Sequence, residues 1–363
     1  YLVKNLICEY KYQIKFENWF DIGHKATYHQ TKIESFTSRF FNNIFYQKKS
    51  NTIIKKSNNR EKLLREIYFY ENLPKRLRNY FPLINLNKNK IAKKSELEIE
   101  FIPYPNLAEL YLFKEIGPNA WLRIITKLLN VYDHFYVESD FILEENISWL
   151  YSKKLNDRFV LLEKFIKKSN NLFLKNFLRN EVYVNQKFKV CSLSRTFNEL
   201  KKFLLTYEKS VKQYIGHGDL CFNNILIDHV SGAIKLIDPK SDFNNKKKVY
   251  GLIDPNYDLS KLNHSFKYLY DCIVNNLYLI KYDKENINLK IFVPKAYQYI
   301  NDNFEYIIIN KFIDKNTLRV LTANLFISML PLHIDDEDRM IALAIIGSIV
   351  FYNLDFNNLK LDI

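Results

Sequence analysis

The sequence predicts an α+β chain in two lobes: a small β-rich lobe holding a single helix, then a larger helical one. Three observations carry this expectation. Residues 39–46 and 52–56 are rich in β-branched and aromatic side chains and are separated by the polar Gln47-Lys48-Lys49-Ser50-Asn51. Pro103 and Pro105 then flank Tyr104 and stiffen the chain into a crossover. Beyond that crossover apolar residues recur at the spacing of helices, and β character returns only briefly near residue 216.

Taken in chain order, residues 1–33 alternate apolar and polar side chains and reach Trp19-Phe20-Asp21-Ile22-Gly23-His24, which fits short strands and a turn. After the two β-rich runs, Ser57-Asn58-Asn59 caps a helix from Arg60 to about Asn72. Leu63, Leu64, Ile67 and Tyr70 lie on one face of it and Pro74 stands beyond its end. A strand over 98–102 runs into the prolines. Helical patterns follow over 106–114, 120–135, 157–168 and 196–214. Residues 225–228 and 233–238 then flank His229-Val230-Ser231-Gly232 as a hairpin, and helices resume after Asp254, including 317–329 and 337–351. The expected organisation is a tail over 1–33, a small lobe over 34–103 and a large lobe over 104–363.

Composition bounds the classes of function. With 363 residues, 47% hydrophobic and 26% charged, the chain buries a large core and is not a disordered segment. It has only 7 glycines, and four of them (Gly216, Gly218, Gly232, Gly251) fall in one short stretch. The net charge is +14, and residues 45–95 hold 14 Lys and Arg against 3 Glu. That excess reads as a solvated lysine-rich face, or as the footprint of an anionic partner. Cys8, Cys191, Cys221 and Cys272 are widely spaced with no CxxC pair, which argues against zinc and against a disulfide framework. No secretory signal opens the chain and its longest apolar run, 340–354, is too short for a membrane span, so the cytoplasm is the expected location. The chain opens at Tyr1 without a methionine, so we expect it to be part of a longer protein.

The densest polar cluster within apolar sequence is Gly216-His217-Gly218-Asp219, continuing to Asn223-Asn224 before Ile225-Leu226. If Asp228 lies opposite Ala233 in the hairpin, Asn224 faces Ile237 or Asp238. An amide and a carboxylate at facing strand ends, with Asp219 on the loop before them, make an oxygen-rich pocket of the kind that holds Mg²⁺. Phosphoryl transfer needs two such metal-holding groups, a carboxylate that orients the attacking hydroxyl, and a cation on the nucleotide phosphates. Lys55 or Lys56 on the second strand supplies that cation, with Glu66 or Glu61 on the following helix as its partner.

His217-Gly-Asp-x-x-x-x-Asn224, a hairpin, Ile237-Asp238 and Asp254-Pro-x-Tyr-Asp258-Leu259 resemble the aminoglycoside phosphotransferase and choline kinase family. The resemblance implies a protein-kinase-like fold and an ATP- and Mg²⁺-dependent transfer to the hydroxyl of a small molecule. It makes Asp219 the catalytic base, Asn224 and Asp238 the magnesium ligands, and His217 a support of the loop. It makes Lys55 the phosphate lysine with Glu66 as its partner, Glu100, Phe101 and Ile102 the adenine-binding hinge, and Asp258 a brace from the next helix. The loop over the phosphates lacks glycine, and Asn42-Asn43 is the expected place of its turn. Trp19–Gly23 with Tyr28 is similar to the closing motif of sugar-1-phosphate nucleotidyltransferases, where the Asp, here Asp21, helps hold the metal. That implies a fused or associated nucleotidyltransferase domain.

Blander readings stand beside these. Lys55 lies among many surface lysines, and Asp335-Asp336-Glu337-Asp338 reads most simply as an acidic helix cap. Phe266, Tyr268 and Tyr270 read as core. The rival function is a non-catalytic kinase-like module that binds an acidic partner or nucleic acid through the basic small lobe. The complete Asp219, Asn224 and Asp238 set argues against that rival and against nucleic acid as partner.

Overall fold

The computed structural model describes residues 42–57, 60–85, 96–113, 116–135, 147–228, 230–240, 242–244, 249–311 and 314–362. The chain divides into two compact units, Tyr1–Leu63 with Leu83–Pro103, and Leu64–Pro82 with Tyr104–Ile363. The resemblance at Trp19–Gly23, with Asp21 and Tyr28, lies outside the described residues, as does Cys8.

In the smaller unit β1 (Asn42–Gln47), β2 (Thr52–Ser57), β3 (Ile84–Asn85) and β4 (Glu96–Glu100) form an antiparallel sheet in the order β1-β2-β4-β3. The residues that read as β-rich in sequence therefore pair, with Tyr46 opposite Ile53 across the β1–β2 hairpin. Asn42 and Asn43 are not a turn: they pair with Ser57 and Lys56 as the first residues of β1. The tip of the hairpin is instead 48–51, where Asn51 takes left-handed backbone at φ 51°. An amide side chain tolerates that conformation better than the β-branched residues beside it. The strand expected at 98–102 runs from Glu96 to Glu100, and Phe101 closes it by donating its N–H to Asn51 O at 3.1 Å.

Helix α1 (Arg60–Asn72) begins at the residue that the Ser-Asn-Asn cap predicts. The larger unit adds α2 (Leu107–Phe113), α3 (Pro118–Phe135), α4 (Ser152–Lys168), α5 (Leu172–Phe177), β5 (Val182–Val184), β6 (Phe188–Val190), α6 (Leu193–Tyr207) and β7 (Tyr214–Ile215). Hairpin β8 (Ile225–Ile227) and β9 (Ile234–Leu236) follows, then β10 (Asp242–Asn244), β11 (Val249–Ile253), α7 (Pro255–Phe266) and α8 (Tyr270–Val274). The last elements are β12 (Tyr278–Tyr282), β13 (Asn286–Val293), α9 (Ala296–Lys311), α10 (Lys315–Met329), α11 (Glu337–Tyr352) and β14 (Lys360–Asp362). The core of this unit is built on α11, buried on all sides from Met340 to Val350, with α10 packed along it. A helix apolar on every face has no solvent side to offer. Asp336 caps α11 by accepting from Arg339 N at 2.9 Å, and Glu337 and Asp338 fill its first turn, the simple cap read from the sequence.

Two expectations for the large lobe are corrected. The helix read over 196–214 stops at Tyr207, because Tyr214 and Ile215 form β7 and pair with Ile253 and Leu252 of β11. The lobe also holds more than one hairpin: β10-β11-β7 form a second sheet, and β12, β13, β5, β6 and β14 a third of five strands. Ile287, Leu289, Ile291 and Val293 are buried on one face of β13, a period of two within a region read as helical. Among the described residues no helix is long and apolar enough to cross a membrane.

Candidate active site

The candidate site is built in the larger unit from one loop, one hairpin and one helix start. The loop from Gly216 to Cys221 is held from beneath by Asp258, which lies on the first turn of α7 and is 2% exposed. Asp258 Oδ2 accepts from His217 N at 2.7 Å and Gly218 N at 3.2 Å, while Oδ1 accepts from Leu220 N at 3.4 Å. Burial pushes its carboxyl up to about 7, against the lowering effect of the three N–H donors. Gly216 leaves no room for a side chain here: a Cβ would sit 2.2 Å from Ile253 Cγ2 and 3.0 Å from Asp258 Oδ2. Gly218 has φ 78°, which an L-residue reaches only at a cost.

His217 is fully buried, and its ring lies parallel to that of Phe81 with centroids 6.2 Å apart. Asp219 N–H donates to its Nδ1 at 3.2 Å, so the ring proton sits on Nε2 and donates to Ile237 O at 3.0 Å. Burial pushes the imidazole down to about 4, so it is neutral near pH 7 and ties the loop to the hairpin rather than exchanging protons.

The hairpin has the register expected from sequence, with Ile225 opposite Leu236 and Ile227 opposite Ile234. One step further out, Ile237 N–H donates to Asn224 O at 3.0 Å, which puts Asn224 and Asp238 at adjoining strand ends. Gly232 closes the turn at φ 70°. Asp238 also takes left-handed backbone, φ 55°, a conformation costing about 1–2 kcal/mol outside glycine. Asn224 Nδ2 donates to Asp219 O at 2.8 Å and to its Oδ2 at 3.2 Å, which leaves Oδ1 as the amide's coordinating atom. Asp219, Asn224 and Asp238 are thus gathered in one place.

Two lysines that the sequence reading missed complete the cluster. Lys261 Nζ lies 3.0 Å from Asp219 Oδ1, with its side chain only 14% exposed. Lys240 Nζ is paired with Asp219 Oδ2 and lies 3.4 Å from Asp238 Oδ2. Burial alone would raise the Asp219 carboxyl, but the ammonium groups of Lys261 and Lys240 hold it well below the usual carboxylate range. Burial opposes the charge on Lys261 as well, and Asp219 outweighs it and raises the lysine. A signal for Lys261 was present, since it follows Asp258 by three residues and so shares its face of α7. Nothing in the local pattern distinguishes Lys240 from the Lys246-Lys247-Lys248 run beyond it.

Helix α7 is itself anchored at Asp254, which caps it by accepting from Asn256 N at 2.9 Å and also accepts from Tyr151 and Tyr207 hydroxyls at 2.5 and 2.8 Å. Burial pushes this carboxyl up to about 6 despite those donors. Between about pH 4 and 6 the folded chain therefore holds a proton on Asp254 that the unfolded chain has released, so this group favours the fold less as pH rises through that window. Asp254→Asn keeps the cap but cannot titrate. Thermal melts should show wild type losing stability relative to Asp254→Asn from pH 4 to pH 7, by an amount on the order of 1–3 kcal/mol. A constant difference across that range would contradict the assignment.

The remaining predicted residues lie elsewhere in the two units. Lys55 is in the smaller unit, at the centre of β2 between Ile44 and Leu97, and is 8% exposed. Its competitor Lys56 is exposed and paired with Glu96 at 2.6 Å. Glu66 lies on the part of α1 that belongs to the larger unit and is 5% exposed. Glu100 closes β4, with its Oε2 accepting from Leu83 N at 2.9 Å. Phe101 and Ile102 follow it half-buried, and the Phe101 ring meets Tyr46 edge-on at 5.0 Å.

The donor set suits a hard divalent cation. Asn224 Oδ1 and the Asp238 carboxylate offer one amide and one carboxylate oxygen ligand, and the Lys240 ammonium already stands beside Asp238. Magnesium is commonly held by one or two carboxylates together with phosphate oxygens and water. Among the described residues no group of three or more His, Cys, Asp or Glu is placed to hold a metal without such help.

No protein-family profile matches the chain, and no curated protein matches it in sequence. Among solved structures it is similar to the ADP-bound aminoglycoside phosphotransferase APH(2'')-Ib, with 10% identity over 89% of this chain and 98% of that one and a TM-score of 0.50. The fold is protein-kinase-like. The gentamicin complex of APH(2'')-IIa also matches, with 11% identity, 96% of this chain and 100% of that chain covered, and a TM-score of 0.48. An ethanolamine kinase of Plasmodium vivax matches at 14% identity over 96% of this chain and 92% of that one, with a TM-score of 0.44.

Proposed function

We propose that the protein is an ATP- and Mg²⁺-dependent phosphotransferase acting on the hydroxyl of a small molecule. The observation that carries this reading is the meeting of Asn224, Asp238 and Asp219, with Asn224 Nδ2 only 3.2 Å from Asp219 Oδ2. In this reading Asn224 and Asp238 hold magnesium on the nucleotide phosphates, and magnesium neutralises charge there when bound. Asp219 orients the acceptor hydroxyl and takes its proton late, which suits a carboxylate held well below its usual range. The roles of Lys55 as the phosphate lysine, of Glu66 as its partner and of Glu100, Phe101 and Ile102 as the adenine-binding hinge are carried into this proposal from the family resemblance alone. Phe101 N–H is already bonded to Asn51 O, so the adenine contacts fall to the other backbone groups of this stretch.

The acceptor we propose is an alcohol. If the stretch at Trp19–Gly23 does end a nucleotidyltransferase domain, the phosphorylated product would be passed on for nucleotide activation, as in the synthesis of surface polysaccharide precursors. The experiment is to measure ADP release with pooled sugars, polyols and amino alcohols in the presence of Mg²⁺. Stimulation by one pool that is lost in Asp238→Ala supports the reading. Equal release by wild type and folded Asp238→Ala would overturn it.

A further inference from the structure

Lys240 bridges the two carboxylates that the proposed reaction must have free. Its ammonium is paired with Asp219 Oδ2 and lies 3.4 Å from Asp238 Oδ2. If Asp238 takes a divalent cation, the attraction that holds Lys240 there turns into repulsion between two cations. Asp219 Oδ2 takes both the Lys240 ammonium and Asn224 Nδ2 at 3.2 Å, which fills its two lone pairs, so an alcohol bonds to that oxygen only when Lys240 leaves it. Oδ1 is held by Lys261, whose side chain is 14% exposed on α7, whereas Oδ2 is held by Lys240, whose side chain is 36% exposed. Lys240 is thus the clamp that can open.

Its side chain is anchored only at the base. Its backbone N–H is fixed to His217 O at 2.7 Å, so the base of the side chain is tied to the loop while the four-carbon stem carries the ammonium. Swinging about that fixed point, Nζ stays within reach of the space that Asp219 and Asp238 border. In the phosphotransferase reading the group entering that space is the one in transfer, which carries its charge on three oxygens.

We propose that Lys240 is a catalytic residue that exchanges the Asp219 and Asp238 carboxylates for the transferring phosphoryl group when nucleotide binds. The inference rests on the phosphotransferase reading above. In the step, the bond from the γ-phosphorus to the β–γ bridging oxygen breaks and its electron pair stays on ADP. The acceptor oxygen forms the new bond to phosphorus and its proton passes to Asp219. Lys240 forms no covalent bond and keeps its protons; it stabilises the oxygens of the phosphoryl in flight. Where it stands beside Asp219 and Asp238, the same ammonium offsets the repulsion between the two carboxylates.

The test is calorimetric titration with ADP and Mg²⁺, with and without aluminium fluoride, which together with ADP imitates the phosphoryl in transfer. Wild type should bind the fluoride mixture about tenfold or more tightly than ADP alone, as expected for a site that favours the transition state. Lys240→Met should lose most of that gain while binding ADP and Mg²⁺ at least as tightly as wild type, because no ammonium then has to leave Asp238. Lys240→Arg should retain part of the gain, and retained ADP binding certifies that both variants are folded. A Lys240→Met variant that keeps the full gain overturns the proposal, as does a wild type that binds ADP but gains nothing from fluoride. A wild type that binds no nucleotide overturns the phosphotransferase reading and this inference with it.

Discussion

Asp219→Asn is expected to lower ATP turnover about a hundredfold or more, the range typical of a lost general base or acid. The same change should also destabilise the chain. Lys261 stays mostly buried with Asp219 as its acidic contact at 3.0 Å, and removing one member of a buried ion pair costs about 3–5 kcal/mol. The two effects can be separated. Adding Lys261→Met removes the uncompensated charge, so the double variant should recover much of the lost melting temperature and none of the turnover. Recovery of turnover together with stability would mean that Asp219 serves the fold alone.

The second large effect is expected at Asp258. Asp258→Ala leaves the N–H groups of His217, Gly218 and Leu220 without their acceptor, at distances now of 2.7, 3.2 and 3.4 Å. Each buried donor left unsatisfied costs about 1–3 kcal/mol. A melting experiment should therefore place Asp258→Ala far below wild type, and Asp258→Asn, which keeps one acceptor oxygen, between them. Turnover of Asp258→Ala should fall even at temperatures where it remains folded, because the loop that presents Asp219 loses its anchor. A variant that melts like wild type would show that the loop is held by other means.

What could be read from the sequence follows from the range of the interactions involved. The Gly216–Asn224 loop and the hairpin are local: Gly232 and the strand pattern fix the turn, the turn fixes the register, and the register puts Asn224 beside Asp238. Helix α1 was legible because its cap and its apolar face lie within one stretch. Lys261 was within reach of the same reasoning, being one turn beyond Asp258, and went unread because a lysine in a basic chain carries little signal. Lys240 was not legible, since its place depends on how the chain leaves β9 with Asp238 in left-handed backbone.

Non-local pairings defeated the pattern in the large lobe. β7 has only two residues, Tyr214 and Ile215, and becomes a strand because β11 lies beside it. β13 did alternate in sequence, but its parallel partners β5 and β14 come from residues 182–184 and 360–362, too far along the chain for local spacing to announce. Asn42 and Asn43 suggested a turn by residue type, and pairing with β2 overrode that preference.

In the proposed reaction Asn224 and Asp238 hold magnesium on a nucleotide beside Asp219. Its most direct test is titration of the wild-type protein and Asp238→Ala with ATP, in Mg²⁺ and in excess chelator. Wild type should bind ATP in Mg²⁺ and bind it about tenfold or more weakly in chelator, and Asp238→Ala should bind weakly in both. ATP binding of equal strength in all four titrations, or none by wild type in Mg²⁺, would contradict it.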